Sequence, residues 1–491
     1  MSGLKSIKKP AVKRTQLFIN NEWVNAVGGK TFESINPATE DVICSVQEGG
    51  KADVDLAVSA ARLAMKRNSP WRTMAPAERG LLLMKMADII ERDIEYIASL
   101  EVVDNGKPFT SAVGDIRAGI KCLTYYGGYC DKIEGKTLAM ENGKMGYTRY
   151  EPVGVVGAIT PWNFPFMLSC FKLAHVLGAG NSIVLKPPEQ TPLTSLLLGD
   201  IAIEAGIPAG VINIITGFGP TAGAAISEHP DINKVTFTGS TEVGHLIQKA
   251  SGDTNLKRVT LELGGKSALI VGKSADLSMV VPLAQDACYV NMGQTCCALT
   301  RTYVHEDIYD EFVKQSAELA KKTRAKVGDP FADDIRYGPQ VDKIQFEKIL
   351  DFIDSGKKEG AKLECGGGRL TEKGYFVEPT VFSNVKDDMR IAKEEIFGPV
   401  QQIMKFSNIE EAIDRANDSE YGLAAAVFTN DLSEALYVSN SLESGQVWVN
   451  SFMSGGANTP FGGYKKSGIG REFGWDGLLP YMEIKTVVIK M

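Results

Sequence analysis

No stretch of the 491 residues reaches the roughly twenty consecutive apolar residues that a membrane-crossing helix needs, so no membrane span is expected. Histidine is scarce. His175, His229, His245 and His305 fall at unrelated spacings, and the eight cysteines follow no ligand pattern either, so no metal site is expected. Basic residues are not in excess: 53 Lys and Arg stand against 60 Asp and Glu, a net charge of −7, which leaves no domain-sized cationic surface for nucleic acid. Met1 to Gln16 is basic, with Lys5, Lys8, Lys9, Lys13 and Arg14, but it lacks the apolar core of a secretory leader. Pro10 interrupts any amphipathic targeting helix there, so the segment reads as a solvated tail and a cytoplasmic location is the expectation. A chain of this length has no need of disulfide staples; Cys44, Cys122, Cys130, Cys170, Cys288 and Cys365 read as buried free thiols.

What is present is the composition of a soluble globular protein, 44% hydrophobic and 23% charged, long enough for two or three domains. Leu17 to Val24 reads as a strand, an Asn-Asn turn and a second strand. Helices follow over 52–66, from Pro76 through Ile97, and over 109–130. Thr137 to Tyr150 is polar with two glycines, then strand-like, and suggests a hairpin arm. From Val153 the texture changes. Apolar strands at 153–159, 182–186, 211–215 and 234–238 alternate with helices, the pattern of a parallel sheet covered on both faces. The second half repeats it, with strands at 267–271, 302–304, 374–381 and 446–450. The tail 486–490 ends in a strand with no evident partner in its own chain, which suggests pairing across a subunit interface.

The chemistry centres on Gly293-Gln294-Thr295-Cys296-Cys297. A small flexible turn exposes a thiol, and a thiolate is a strong nucleophile, although chemistry alone does not say which of the two adjacent cysteines attacks. Glu262, in Leu261-Glu262-Leu263-Gly264-Gly265-Lys266, sits among apolar neighbours that would raise its pKa and suit it to base work. Asn163, in Pro161-Trp162-Asn163-Phe164-Pro165, is a candidate oxyanion donor, its plainer reading being a turn residue. Two glycine clusters compete for a dinucleotide. Gly217 to Gly223, with Gly219 inside it, is one residue too long for the fingerprint; Phe237-Thr238-Gly239-Ser240-Thr241 follows a strand and opens a helix whose amides could meet a pyrophosphate. Lys186-Pro187-Pro188-Glu189 lies at the end of a strand, where open α/β sheets bind ligands. Glu189 could accept from two ribose hydroxyls and would repel a 2′-phosphate, which favours NAD over NADP.

In combination these phrases, with Glu395-Ile396-Phe397-Gly398-Pro399 and Pro460-Phe461-Gly462-Gly463, resemble the aldehyde dehydrogenase superfamily, in its cytosolic/retinal-type and mitochondrial tetrameric branch. The resemblance runs from Leu17 to Lys490. It implies an α/β fold: a Rossmann-like cofactor domain (1–130 and 151–263), an α/β catalytic domain (264–463), and a small β oligomerisation arm with the C-terminal strand (131–150 and 464–491). It implies Cys296 as nucleophile, Glu262 as general base, and Asn163 with the Cys296 amide as oxyanion hole. It places Ile159, Trp162, Lys186, Glu189, Gly219, Gly239, Ser240, Gln345, Glu395 and Phe397 at NAD, and Phe164, Phe171, Thr295, Cys297, Gly455 and Phe461 along the substrate tunnel. Arg258, Arg471 and Glu483 look like a charge network near a subunit interface. The reaction implied is NAD-dependent oxidation of an aldehyde to an acid, by a homotetramer built as a dimer of dimers.

Departures cluster at the substrate end. Thr295 stands where relatives often carry cysteine, Leu299 where a small residue is usual, Ala268-Leu269 where Pro-Asn is usual, and His175 where proline is usual. Phe171 replaces a tryptophan, and Ser454-Gly455-Gly456 replaces a bulky wall. Two readings follow. One is an enzyme with a remodelled, roomier aldehyde site. The other is a structural protein resembling the omega-crystallins of mollusc eye lenses, relatives with little or no activity; the intact Cys296, Glu262 and Asn163 favour the enzyme.

Overall fold

The computed structural model describes residues 3–491. Its first large sheet has eight strands, with a parallel centre in the order Ile212–Ile214, Ser182–Lys186, Val155–Ile159, Lys234–Thr238, Arg258–Glu262. Every residue of Val155–Ile159 and Ser182–Lys186 is buried, as expected where helices cover both faces. Successive strands spread to one side of Val155–Ile159 and then return to the other side at Lys234–Thr238. The order therefore reverses between these two strands, and an open parallel sheet has its ligand crevice beyond their C-terminal ends.

The second sheet has seven strands in the order Lys362–Cys365, Thr380–Ser383, Val400–Phe406, Arg301–His305, Ala268–Val271, Ala424–Phe428, Gln446–Val449. Only Lys362–Cys365 is antiparallel to its neighbour. The chain passes directly from Glu262, the last residue of strand Arg258–Glu262 in the first sheet, through Leu263–Ser267 into Ala268, which opens the strand Ala268–Val271 of the second. This short crossing brings the C-terminal ends of one sheet to the N-terminal ends of the other.

Four expectations are corrected. The terminal strand Met482–Lys490 does have a partner in its own chain: it pairs antiparallel along its whole length with Lys144–Pro152, which also pairs with Thr137–Leu138. A partner over 330 residues away in sequence leaves no local trace. The stretch 374–379 is not strand. Its backbone bonds instead to Pro37, Gln340, Gly368 and Leu370, and Pro379 has no N–H to give a ladder, so the strand starts at Thr380. The helix from Pro76 ends at Arg92; Asp93 leaves helical geometry, its carboxylate on the Arg92 guanidinium, and a second helix spans Ile94–Asn105. Of the proposed charge network, Arg258 pairs with Glu483, whereas Arg471 bonds the carbonyls of Gly463 and Gly470 instead.

Candidate active site

Cys296 sits on a loop held in shape by its own backbone. Asn291, Met292 and Gly293 have φ of 51°, 58° and 74°, three left-handed residues in succession that reverse the chain after helix Leu277–Tyr289. The Gln294 side chain fastens the turn, donating to the Asn291 carbonyl (3.0 Å) and accepting from the Val341 amide (2.9 Å). Asn163 is fastened to the same loop. Its Nδ2 donates to the Gln294 carbonyl (2.9 Å), and its own carbonyl accepts from Asn291 Nδ2 (2.8 Å) and buried Lys107 Nζ (3.0 Å). One of the two Nδ2 hydrogens is used there, so the other is free to donate. Cys296 is half-buried and Cys297 is buried at 3% exposure, so of the two adjacent thiols Cys296 has the greater access.

A Cβ on Gly293 would stand 2.1 Å from the Gly398 carbonyl oxygen, in addition to the strain of φ 74°. Gly293→Ala is therefore expected to push apart the nucleophile loop and the 395–399 segment. The expected cost is about 3 kcal/mol of stability, with loss of most activity, checked by thermal melting and turnover. An alanine variant with unchanged melting and rate would show that the two segments need not touch.

Glu262 ends strand Arg258–Glu262. Both its carboxylate oxygens are buried and have no hydrogen-bond partner among the described residues. Burial, and then the charge of Glu472, pushes its pKa well above the carboxylate range. A Cβ on Gly462 would come 2.8 Å from Glu262 Oε1, so glycine there keeps the space around the carboxylate open. Glu472 is buried against Lys172, and that lysine holds its carboxyl below the usual range despite burial. The Cys296 thiol is pushed up by its hydrogen bond with Cys297, by burial, and by the nearby carboxylates Glu395 and Glu262. Both shifts disfavour the charged form, so a thiolate and a carboxylate are each harder to form here than in water.

The residues that the family resemblance places at NAD fall in two groups. Trp162, Gly239, Ser240, Gln345, Glu395 and Phe397 line the same cavity of ≈ 530 Å³ as Cys296, Glu262 and Asn163. Trp162 meets Phe397 edge-on at 5.2 Å, Gln345 Nε2 donates to the Ile396 and Phe397 carbonyls (both 3.2 Å), and Glu395 Oε1 accepts from the Gly265 amide (2.9 Å). Ser240 caps helix Thr241–Asp253 by accepting from the Val243 amide. Ile159, Lys186, Glu189 and Gly219 lie outside that cavity's lining. Ile159 and Lys186 are paired at the ends of adjacent strands, and Lys186 Nζ reaches Glu189 (3.0 Å) and the Pro187 carbonyl (3.1 Å). The Gly219–Gly223 turn packs over them: a Cβ on Gly223 would lie 3.7 Å from Lys186 Cδ. Both competing glycine clusters thus sit at strand ends beside the reversal point, one on each side.

A dinucleotide fits this arrangement. The helix opened by Ser240 directs its first amides at the strand ends, Thr238 Oγ1 is buried without a partner among the described residues, and Lys186 and Glu189 offer a donor and an acceptor side by side. At the other end of the cavity Phe164, Phe171, Thr295, Cys297, Gly455 and Phe461 appear with Met167, Leu168, Trp448 and Phe473. The wall is apolar, and small residues (Gly114, Ala118, Gly455, Gly456 and Ala457) line its rim.

Lys172, Glu472 and Phe473 were not singled out from the sequence. The available signal was Lys172 itself, a lone charge in the otherwise apolar helix Pro165–Gly178, whose burial demands a counter-charge. The identity of that counter-charge, 300 residues on, was not readable.

The profile of the Aldehyde dehydrogenase family matches residues 23–487. The mitochondrial aldehyde dehydrogenase of Mesocricetus auratus is 56% identical over 485 residues, 99% of this chain and 97% of that protein. Aldehyde dehydrogenase 1A1 of Gallus gallus is 57% identical over 486 residues, 99% and 95% of the two chains. Among solved structures, the NAD+ complex of aldehyde dehydrogenase from Bacillus cereus superposes with a TM-score of 0.95 at 48% identity, covering 98% of this chain and 97% of that one.

Proposed function

The chain is an enzyme of the aldehyde dehydrogenase family, and we propose that it oxidises an apolar aldehyde to its carboxylic acid with NAD, through a thioester on Cys296. The observation that carries this reading is one cavity holding a half-buried thiol, a partnerless buried carboxyl at Glu262, and Asn163 bonded to the thiol's own loop.

Cys296 Sγ adds to the aldehyde carbon as the thiol proton passes to solvent water. The oxygen becomes an alkoxide facing the spare Asn163 N–H and the Cys296 backbone amide. A nicotinamide cofactor bound in the cavity would supply the two-electron acceptor for the hydride that this carbon loses in becoming a thioester. Glu262 then takes a proton from water as the water attacks the thioester carbonyl; the C–S bond breaks, and the thiolate and the acid are released. Gly265 keeps the parts in register: its amide holds Glu395, and a Cβ on it would come 2.4 Å from the Cys296 carbonyl oxygen. Trp162, Gly239, Ser240, Gln345, Glu395, Phe397, Ile159, Lys186, Glu189 and the Gly219 turn are the residues that would hold the cofactor.

The Glu189 carboxylate beside Lys186 supports NAD over NADP, because a 2′-phosphate would meet a negative charge. We expect kcat/KM for NAD to exceed that for NADP by at least about tenfold, and Glu189→Ala to narrow the ratio. Equal use of both cofactors by the unmodified enzyme would remove Glu189 from that role. A homotetramer is supported by two open edges, Met482–Lys490 with exposed Ile484, Val488 and Ile489, and Gln446–Val449 in the seven-stranded sheet. A cytoplasmic location is supported by eight free cysteines. Among the described residues no helix is long and apolar enough to cross a membrane.

The test is NADH formation by purified protein with NAD and a panel of aldehydes from acetaldehyde to retinal, with NAD binding measured in parallel. Turnover on apolar members supports the reading. NAD binding without turnover on the whole panel would favour a lens-type structural protein instead.

A further inference from the structure

Behind the substrate wall lies a fully buried histidine that the reaction as written does not use. His175 is on helix Pro165–Gly178, one turn beyond Phe171 and on the same side as Lys172. Its two ring nitrogens have fixed and different tasks. Nδ1 lies 2.6 Å from the Phe171 carbonyl, which can only accept, so Nδ1 carries the hydrogen. Nε2 lies 3.0 Å from the Phe473 amide, which can only donate, so Nε2 is bare. These partners admit one species, the neutral Nδ1–H tautomer. A second proton would set N–H against N–H, and burial also disfavours it, lowering the pKa to about 4.

The amide that His175 accepts from belongs to a strained residue. Phe473 has φ 64° and ψ 163°, a conformation that side chains other than glycine rarely adopt, and Gly474 after it has φ 59°. Its neighbour Glu472 is held on both sides. Its carboxylate meets Lys172, and its backbone exchanges two 2.7 Å hydrogen bonds with Phe461. Phe473 thereby stands between two other aromatics in a row, Phe171 edge-on to it at 4.9 Å and Phe461 at 6.5 Å, all lining the cavity. Phe473 cannot relax to an ordinary backbone without breaking its bond to His175 and swinging its ring.

We propose that His175 is a positioning residue for substrate choice: by accepting from the Phe473 amide it holds that residue's strained backbone, and so fixes the aromatic wall that grips the apolar body of a large aldehyde. The proposal rests on the dehydrogenase reading of this cavity. It predicts a selective effect, because a two-carbon aldehyde reaches Cys296 without touching that wall and a long or aromatic one does not.

Three variants isolate the one bond. His175→Gln keeps an acceptor at the Nε2 position. His175→Asn keeps a donor toward the Phe171 carbonyl but is too short to reach the Phe473 amide. His175→Phe fills the space and offers neither group. KM and kcat are measured for acetaldehyde and for a bulky apolar aldehyde from the panel. In the Asn and Phe variants, KM for the bulky aldehyde is expected to rise about tenfold, with kcat and the acetaldehyde constants within about twofold, and the Gln variant to track the wild type. Should the Phe variant fail to fold, the Asn–Gln comparison alone decides. Equal behaviour of Asn and Gln, or equal losses on both aldehydes, would overturn the proposal while leaving the dehydrogenase reading intact. A wild-type chain with no turnover on any aldehyde would remove both.

Discussion

Replacing Cys296 by alanine should lower NADH formation by at least about 10⁴-fold while NAD still binds, because the variant loses the atom proposed to carry the acyl group and none of the residues expected to hold the cofactor. Cys297→Ala should retain most of the activity. The two thiols are adjacent in sequence but differ in access: Cys297 is buried at 3% exposure, whereas Cys296 is half-buried at the cavity wall. Cys297→Ala carries a second, smaller consequence. The hydrogen bond between the two thiols is the foremost cause of the raised Cys296 pKa, so its removal should bring that pKa down. A rise of alkylation rate with pH, read at Cys296, should move to lower pH in the Cys297 variant. Loss of turnover in the Cys297 variant alone would reverse the assignment.

Glu262→Gln should separate the two halves of the reaction. In the proposed mechanism thioester formation draws on Cys296 and Asn163, and its hydrolysis draws on Glu262. The variant should therefore release about one equivalent of NADH per active site and then slow by about 10³-fold, within the range removal of a general base ordinarily costs. The pH profile supplies the sign. Burial and Glu472 hold the Glu262 carboxyl well above its ordinary range, and a base acts only when deprotonated. Hydrolysis in the unmodified enzyme should rise with pH through that elevated pKa, and the limb should vanish in the Gln variant. The same shift costs stability. The unfolded carboxyl ionises at lower pH than the folded one, so from the ordinary carboxylate pKa up to the elevated one the unfolded chain binds fewer protons and Glu262 lowers stability as pH rises. Glu262→Gln is then expected to melt higher than the unmodified enzyme at neutral pH, as removal of a buried, unpartnered acid should. Equal pre-steady-state and steady-state rates in the variant would place the hydrolytic base elsewhere.

Local chemistry made much of this site readable. A carboxyl among leucines and glycines and an asparagine before Phe-Pro stand at the end of a strand or on the turn beyond it, and the thiol after Gly-Gln-Thr stands on the loop that follows helix Leu277–Tyr289, all places where a side chain can face a crevice. The alternation of apolar strands with helices gave away parallel sheets for the same reason: strands covered on both faces have no polar side to show. What stayed hidden depends on partners far along the chain. The Lys172–Glu472 pair joins residues 300 apart, and the bond from Phe473 to His175 spans 298. Met482–Lys490 found its partner at Lys144–Pro152, and an alternating tail cannot say which of the available edges it joins. Gly219 illustrates a different limit. Its turn packs over Lys186 and Ile159 rather than lining the cavity with Cys296, although its glycine spacing resembled a phosphate loop as closely as the Gly239 cluster did. His175 was visible as a departure, yet its task became legible only once both ring nitrogens had named neighbours.

The most direct test is to mix the Glu262→Gln variant with NAD and an apolar aldehyde, quench in acid within the NADH burst, and measure the intact mass and the peptide masses. The account predicts one added acyl group per chain, located on the peptide at Cys296 and absent when Cys296 is also replaced. An unmodified chain after a full NADH burst, or an acyl group on Cys297 with Cys296 free, would contradict it.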